Sequence, residues 1–265
     1  MNNSTPDREE NECANGIPFG FKDGRIWDIG DGERGAKCGC VCAACGNPLV
    51  AKKGEILRHH FAHGVGYNCA TGLETSVHQM AKQIVADTLV AMLPGCGEIR
   101  ELQNDSRWRR ISNPPKSDGG WLFSPEKRRF RDAVPEVSVT DTQTGELLRP
   151  DVLCDSGRFW LEFRVTHAVD QDKAQKIARR KVECLEIDLR PFIKDWLNSV
   201  NQKGPTPVTT KLTSFITDSV ESRKWIASSR IEMWFEQNVV FDEDQLGLVD
   251  DTWGKSQKKS GPNFW

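Results

Sequence analysis

The sequence predicts an α/β fold built on a mixed sheet, on three observations. From Arg158 to Thr166, Phe159, Leu161, Phe163 and Val165 alternate with Trp160, Glu162 and Arg164, the period of two that a strand imposes. From Leu73 to Leu93, apolar residues recur at Leu73, Val77, Ala81, Ile84, Val85, Leu89 and Met92, the spacing of a long amphipathic helix that Pro94 and Gly95 end. The segments after residue 130 then read strand, strand, strand, helix, strand, so the order behind the first helix is α, β, β, β, α, β.

The elements follow in chain order. Residues 1–15 are polar and acidic and read as a disordered leader. Residues 16–70 hold Cys42 and Cys45 in a C-x-x-C knuckle, with Gly46 to permit the tight turn and His60 and His63 further on. Two cysteines and two histidines satisfy a closed tetrahedral Zn²⁺ site of the structural kind, with Cys38, Cys40, His59 and Cys69 as alternative ligands. A module this small buries too little apolar surface to fold without its metal.

Glu74, His78 and Lys82 stand at i, i+4 and i+8 along one flank of the helix that follows. That flank either lines a cleft or is a solvated edge, with Thr71 and Glu74 forming a capping box. Val134, Val137 and Val139 open the sheet, and Leu147 to Cys154 carries Asp151. A three-residue turn at Asp155, Ser156 and Gly157 leads into the strand bearing Glu162. Asp170 is placed to cap a helix through Arg180 that buries Ala174, Ile177 and Ala178, and Leu185, Ile187 and Leu189 form the last strand. Residues 191–240 read as a helical region, with helices at Pro191 to Val200 and Leu212 to Gln237, and residues 241–265 as a flexible tail.

Composition narrows the partners. The chain has 265 residues, 28% of them charged, and a net charge of −2, so no whole-protein field announces a nucleic acid. The distribution is uneven: between Arg100 and Arg131 nine basic residues face four acids, about +5 locally, with Trp108, Trp121, Phe123 and Phe130 interleaved. Arg107, Arg109, Arg110, Lys127, Arg128 and Arg129 are the candidate nucleic-acid contacts, since phosphate pairing and base stacking use this mixture. A solvated hairpin with core aromatics is the competing reading. No apolar run reaches transmembrane length, and MNNSTPDREENE lacks the layout of a secretory signal. Nine cysteines, an odd number with four crowded into Cys38–Cys45, then favour metal over disulfides and a cytoplasmic protein.

The chemistry centres on Asp151 and Glu162. A hairpin brings the two carboxylates together, and such a pair repels itself unless a cation or a shared proton intervenes. A hard ion such as Mg²⁺ or Mn²⁺ is held by one or two carboxylates with waters and substrate phosphate, and it activates water against a phosphodiester. The expectation is a divalent-metal-dependent nuclease, with the Phe163 carbonyl as a third ligand.

These residues carry a resemblance. Arg149-Pro150-Asp151, Glu162 and the element order resemble the PD-(D/E)xK nuclease superfamily. The order of Cys42-Ala43-Ala44-Cys45, His60-Phe61-Ala62-His63, Glu74 to His78, Arg149-Pro150-Asp151 and Glu162 to His167 is similar, more closely, to the CoiA-like nucleases of DNA uptake, over about residues 38 to 190. The resemblance implies a restriction-endonuclease-like core at 71–190 and Mg²⁺-dependent processing of DNA in uptake or in conflict with mobile elements. One position departs. The superfamily places Lys two residues after the Glu, where this chain has Arg164, a group that clamps phosphate but cannot act as a base. Lys173 and His167 are the candidates to replace that lysine. A catalytically degenerate DNA-binding protein on the same fold is the alternative, and a zinc-stabilised protein adaptor a third. A homodimer and the strand form of the DNA are left open.

Overall fold

The computed structural model describes residues 16–67, 69–115, 120–141, 144–202, 204 and 207–240. The expected leader and tail, and Lys116 and Asp118 of the basic span, lie outside them.

Four short strands open the chain: β1 (Phe19–Lys22), β2 (Arg25–Asp28), β3 (Leu49–Lys52) and β4 (His60–His63). Asp23 and Gly24 join β1 to β2, both at positive φ, the two-residue turn whose twist matches antiparallel strands. Helix α1 (Gly72–Thr88) follows, then β5 (Val90–Leu93), β6 (Cys96–Glu98), α2 (Ile99–Leu102), β7 (Trp121–Phe123) and β8 (Glu126–Arg129). The expected helix to Leu93 is thus too long by one turn. Leu89 adopts the left-handed conformation (φ 57°), its N–H donates to the Val85 carbonyl, and Val90–Leu93 leaves to pair with β8. Val90, Ala91, Met92 and Leu93 are apolar in either geometry, so periodicity alone could not separate the two.

The next segment contributes β9 (Ala133–Pro135), β10 (Val139–Thr140), β11 (Leu147–Leu148), β12 (Val152–Cys154), β13 (Phe159–Arg164), α3 (Gln171–Arg179) and β14 (Glu183–Asp188). After α4 (Arg190–Asn198) and α5 (Val208–Thr217) comes β15 (Arg223–Ala227), and α6 (Arg230–Asn238) closes the described chain. The expected helix from Leu212 to Gln237 is therefore broken in two by an edge strand, which pairs antiparallel with β14. Ser222 at φ 60° turns the chain into it.

A five-stranded mixed sheet, β15-β14-β13-β12-β9, forms the centre. β13 and β14 are parallel, joined by α3 as crossover, and the other pairs are antiparallel. The turn expected at Asp155–Gly157 is present, with all three residues at positive φ. On one face Phe159, Leu161 and Phe163 join Val77, Ala81, Ile84 and Val85 of α1 and Leu212 and Ile216 of α5. The same core continues through Phe19, Leu49 and Phe61, so the cysteine-rich strands pack into the main body rather than standing apart. On the other face Trp160 and Cys184 pack under Ile177 of α3. Alternation in β13 therefore separates two buried layers, and the face expected to be polar is roofed by α3. Among the described residues, no helix is long and apolar enough to cross a membrane.

Candidate active site and metal centre

The knuckle is built by two hairpins and the lead into α1. Gly46 at φ 73° donates to the Cys42 carbonyl at 2.9 Å, closing the Cys42–Cys45 loop. Strand β4 brings His63, and the segment before α1 brings Cys69. Cys42, Cys45, His63 and Cys69 then offer ligand atoms that all lie within 4.8 Å of one another, a set that can hold a metal ion such as zinc. Cys42 Sγ is 4.0 Å from Cys69 Sγ, and Cys45 Sγ is 3.4 Å from His63 Nε2. Bonds of ~2.3 Å in a tetrahedral site set sulfur–sulfur separations near ~3.8 Å, so these distances fit.

The fourth ligand corrects the expectation. His60 stands three residues before His63 in a strand, where alternation sends the two side chains to opposite faces. Its Nδ1–H donates to the Arg58 carbonyl at 3.0 Å, and its ring packs against Gly16. Cys69 takes its place. Cys38 and Cys40 are buried elsewhere, with Cys38 Sγ 3.3 Å from the Leu49 carbonyl.

The carboxylates lie at the C-terminal end of the parallel pair β13 and β14, the end where ligands bind in open α/β sheets. Asp151 precedes β12, at a bend that breaks the expected Leu147–Cys154 strand. Both its oxygens are held. Oδ2 accepts the Phe163 N–H at 2.7 Å and faces His78 Nε2 at 3.0 Å, while Oδ1 lies 3.2 Å from Lys82 Nζ. Burial works to raise the Asp151 carboxyl, but His78, Lys82 and the Phe163 amide outweigh it and hold it at about 2. Lys82 also pairs with Glu136 at 2.5 Å, and Glu136 in turn with Arg149. The expected flank of α1 thus reaches the cleft through His78 and Lys82. Glu74 is half-buried in the first turn of α1, and Thr71 makes no side-chain cap hydrogen bond.

Glu162 takes its partner from the opposite layer. Lys173 Nζ of α3 reaches its Oε2 at 2.7 Å, while Oε1 is buried without a hydrogen-bond partner. Burial pushes the Glu162 carboxyl up to about 7, with Asp151 and Glu186 adding to the rise and Lys173 opposing it. One ion pair does not offset that much desolvation. Asp170 caps α3 as expected, its side chain accepting the Lys173 N–H at 2.8 Å, which fixes the turn that aims Lys173 inward. His167 is exposed at the mouth of a cavity of about 210 Å³ that Glu162, Lys173 and Glu186 also line.

Arg164 lies beside Asp188, Nη1 to Oδ2 3.8 Å, its register partner on β14. The basic span is largely tied to the protein itself. Arg107 pairs with Asp105 and Glu232, Lys127 with Asp218, and Arg128 with Asp155 and Glu183. Arg110 donates to the Val240 carbonyl at 3.4 Å, and Arg109 and Arg129 are exposed. Sequence reasoning missed two acids at the site, Glu136 and Glu186. Glu186, between Leu185 and Ile187, reads as the outward position of an alternating strand, and it is α3 that buries that face.

Comparison of the chain with protein-family models, with curated proteins and with solved structures returned no match.

Proposed function

We propose that this chain is a divalent-metal-dependent nuclease that hydrolyses phosphodiester bonds of DNA, with a PD-(D/E)xK-type core resembling the CoiA-like proteins and a structural zinc at Cys42, Cys45, His63 and Cys69. The observation that carries the reading is the Lys173–Glu162 contact at 2.7 Å. It supplies from α3 the ammonium that Arg164 does not supply from β13.

Asp151 and Glu162 would hold the catalytic ion. An all-oxygen donor set with a buried, unpartnered Oε1 on Glu162 fits a hard cation. When bound, Mg²⁺ or Mn²⁺ supplies charge neutralisation on the phosphodiester and a water of lowered pKa. The chain's own groups do the rest. Lys173 sets a compact positive charge beside the phosphate, and His78 and Lys82 orient Asp151. His167 stands at the mouth, placed to meet the phosphate or pass a proton.

The test is cleavage of single- and double-stranded DNA by the purified, zinc-loaded chain with Mg²⁺, Mn²⁺ or EDTA, beside Glu162→Ala and Asp151→Ala. The expected outcome is metal-dependent products that both variants abolish while staying folded. Full activity in either variant overturns the assignment.

A second reading, a degenerate nuclease core that binds nucleic acid without cutting it, is favoured by one observation: both Asp151 oxygens are already engaged by protein groups. It requires salt-dependent DNA affinity that needs no divalent metal and survives Asp151→Ala.

A further inference from the structure

Glu186 stands in register with Glu162 on the neighbouring parallel strand, and the two are only 4% and 5% exposed. Strand spacing of ~4.8 Å puts these side chains next to each other on the α3 face. Two buried carboxylates so placed repel unless a positive charge or a proton lies between them. Among the described residues, one ion pair serves the two, and Lys173 gives it to Glu162 Oε2. Glu186 Oε2 accepts the Val169 N–H at 2.6 Å. Glu162, whose Oε1 is buried and unpartnered, lines the same cavity of about 210 Å³ as Glu186, together with Asp170 and His167. At ~30 Å³ per water, that space admits an ion with several waters still attached. Mg²⁺-type sites keep such waters.

We infer that Glu186 is a third carboxylate of the divalent-cation site, holding the ion directly or through one of its waters. The identity of the ion rests on the nuclease reading above. One Glu186 oxygen anchors the turn that leads into α3, and the charge of the group serves the cavity. A single residue then couples the position of Lys173 to the presence of the cation.

The probe is Mn²⁺ binding to the full, zinc-loaded chain, followed by the loss of free-ion paramagnetic resonance signal. Glu186→Gln keeps an acceptor for the Val169 N–H and removes the charge. It is expected to weaken Mn²⁺ binding by about 10- to 100-fold, the usual cost of removing a group that supports a metal. Val169→Pro removes the N–H and keeps the charge, and it should retain the wild-type affinity. Equal loss in both variants would make Glu186 a loop anchor and overturn the inference. So would unchanged affinity in Glu186→Gln beside lost affinity in Asp151→Asn, an outcome that leaves the nuclease reading intact. No Mn²⁺ uptake by the wild type at millimolar concentration would overturn both.

Discussion

The knuckle and the cleft place potential metal ligands by opposite means. At Cys42, Cys45, His63 and Cys69 the backbone gathers four ligand atoms that all lie within 4.8 Å of one another. At the cleft the protein supplies its own cations, His78 and Lys82 to Asp151 from α1 and Lys173 to Glu162 from α3. A site of the first kind is incomplete as structure until a metal arrives. A site of the second kind stands without one, and on the proposed nuclease reading it would exchange protein contacts for metal contacts.

Removing a knuckle ligand should therefore have the largest effect. Cys42 and Phe61 sit in the main core, so loss of the knuckle propagates into it. Structural zinc is worth ~10–16 kcal/mol in small modules. Cys42→Ser, Cys69→Ser and His63→Gln should each lose one equivalent of bound zinc and lower the melting temperature cooperatively, whereas His60→Gln should keep the zinc. Metal content by atomic emission beside a thermal melt checks this, and zinc loss in His60→Gln would restore the C-x-x-C plus H-x-x-H ligand set.

At the cleft, the two candidate cations should separate. Lys173→Met is expected to lower cleavage about 10²–10³-fold, the usual cost of one preorganised donor to a charged transition state. Arg164→Met, whose guanidinium leans on Asp188, should cost less than about 10-fold. Rate constants at saturating Mg²⁺ decide it, and the reverse ranking would put the working charge back on β13.

Stability against pH sharpens the contrast without any substrate. The folded Glu162 carboxyl is raised from 4.5 to about 7, so its contribution is fully present below pH 4.5 and lost as pH rises through 7. At ~1.4 kcal/mol per pKa unit that is about 3 kcal/mol. Asp151 works the other way: held at about 2 against an ordinary 3.8, it contributes about 2 kcal/mol above pH 4 that disappears as pH falls through 2. Urea melts of the zinc-loaded, Mg²⁺-free chain should show Glu162→Gln removing the decline between pH 4.5 and 7. An unchanged decline would mean that Glu162 is solvated in the absence of the cation.

What could be read from sequence was whatever depends on local chemistry. The alternation in β13, the positive-φ turn at Asp155–Gly157, the Asp170 cap and the C-x-x-C loop each follow from residues a few positions apart. Cys69 over His60 did not follow, because H-x-x-H reads as one face in a helix and as two in a strand, and only pairing with β3 decides. Glu186 looked like the outward half of an alternating strand. Its burial comes from α3 closing over that face, a tertiary event with no local signature. β5, the apolar run VAML, was absorbed into the helix before it because a short apolar run suits both geometries, and β15, RKWIA, is a strand only through its pairing with β14.

The smallest expected effect tests how the Glu162 half of the cleft is held. Asp170 accepts the Lys173 N–H, so the residue that caps α3 also positions the ammonium that meets Glu162. Thr71 occupies the same place at the start of α1 and makes no side-chain cap bond. Asp170→Ala should therefore cost about 1 kcal/mol, and Thr71→Ala a few tenths at most by the ~0.5–2 kcal/mol range for lost N-caps. The first turn of α3 loses an anchor at the residue that carries the charge, so Asp170→Ala should also lower cleavage several-fold with no change in bound zinc. Denaturant midpoints and rates for the two variants measure this directly. Equal stabilities would mean that α3 is held by Ile177 and Trp160 alone, and the Lys173 position would then owe nothing to its cap.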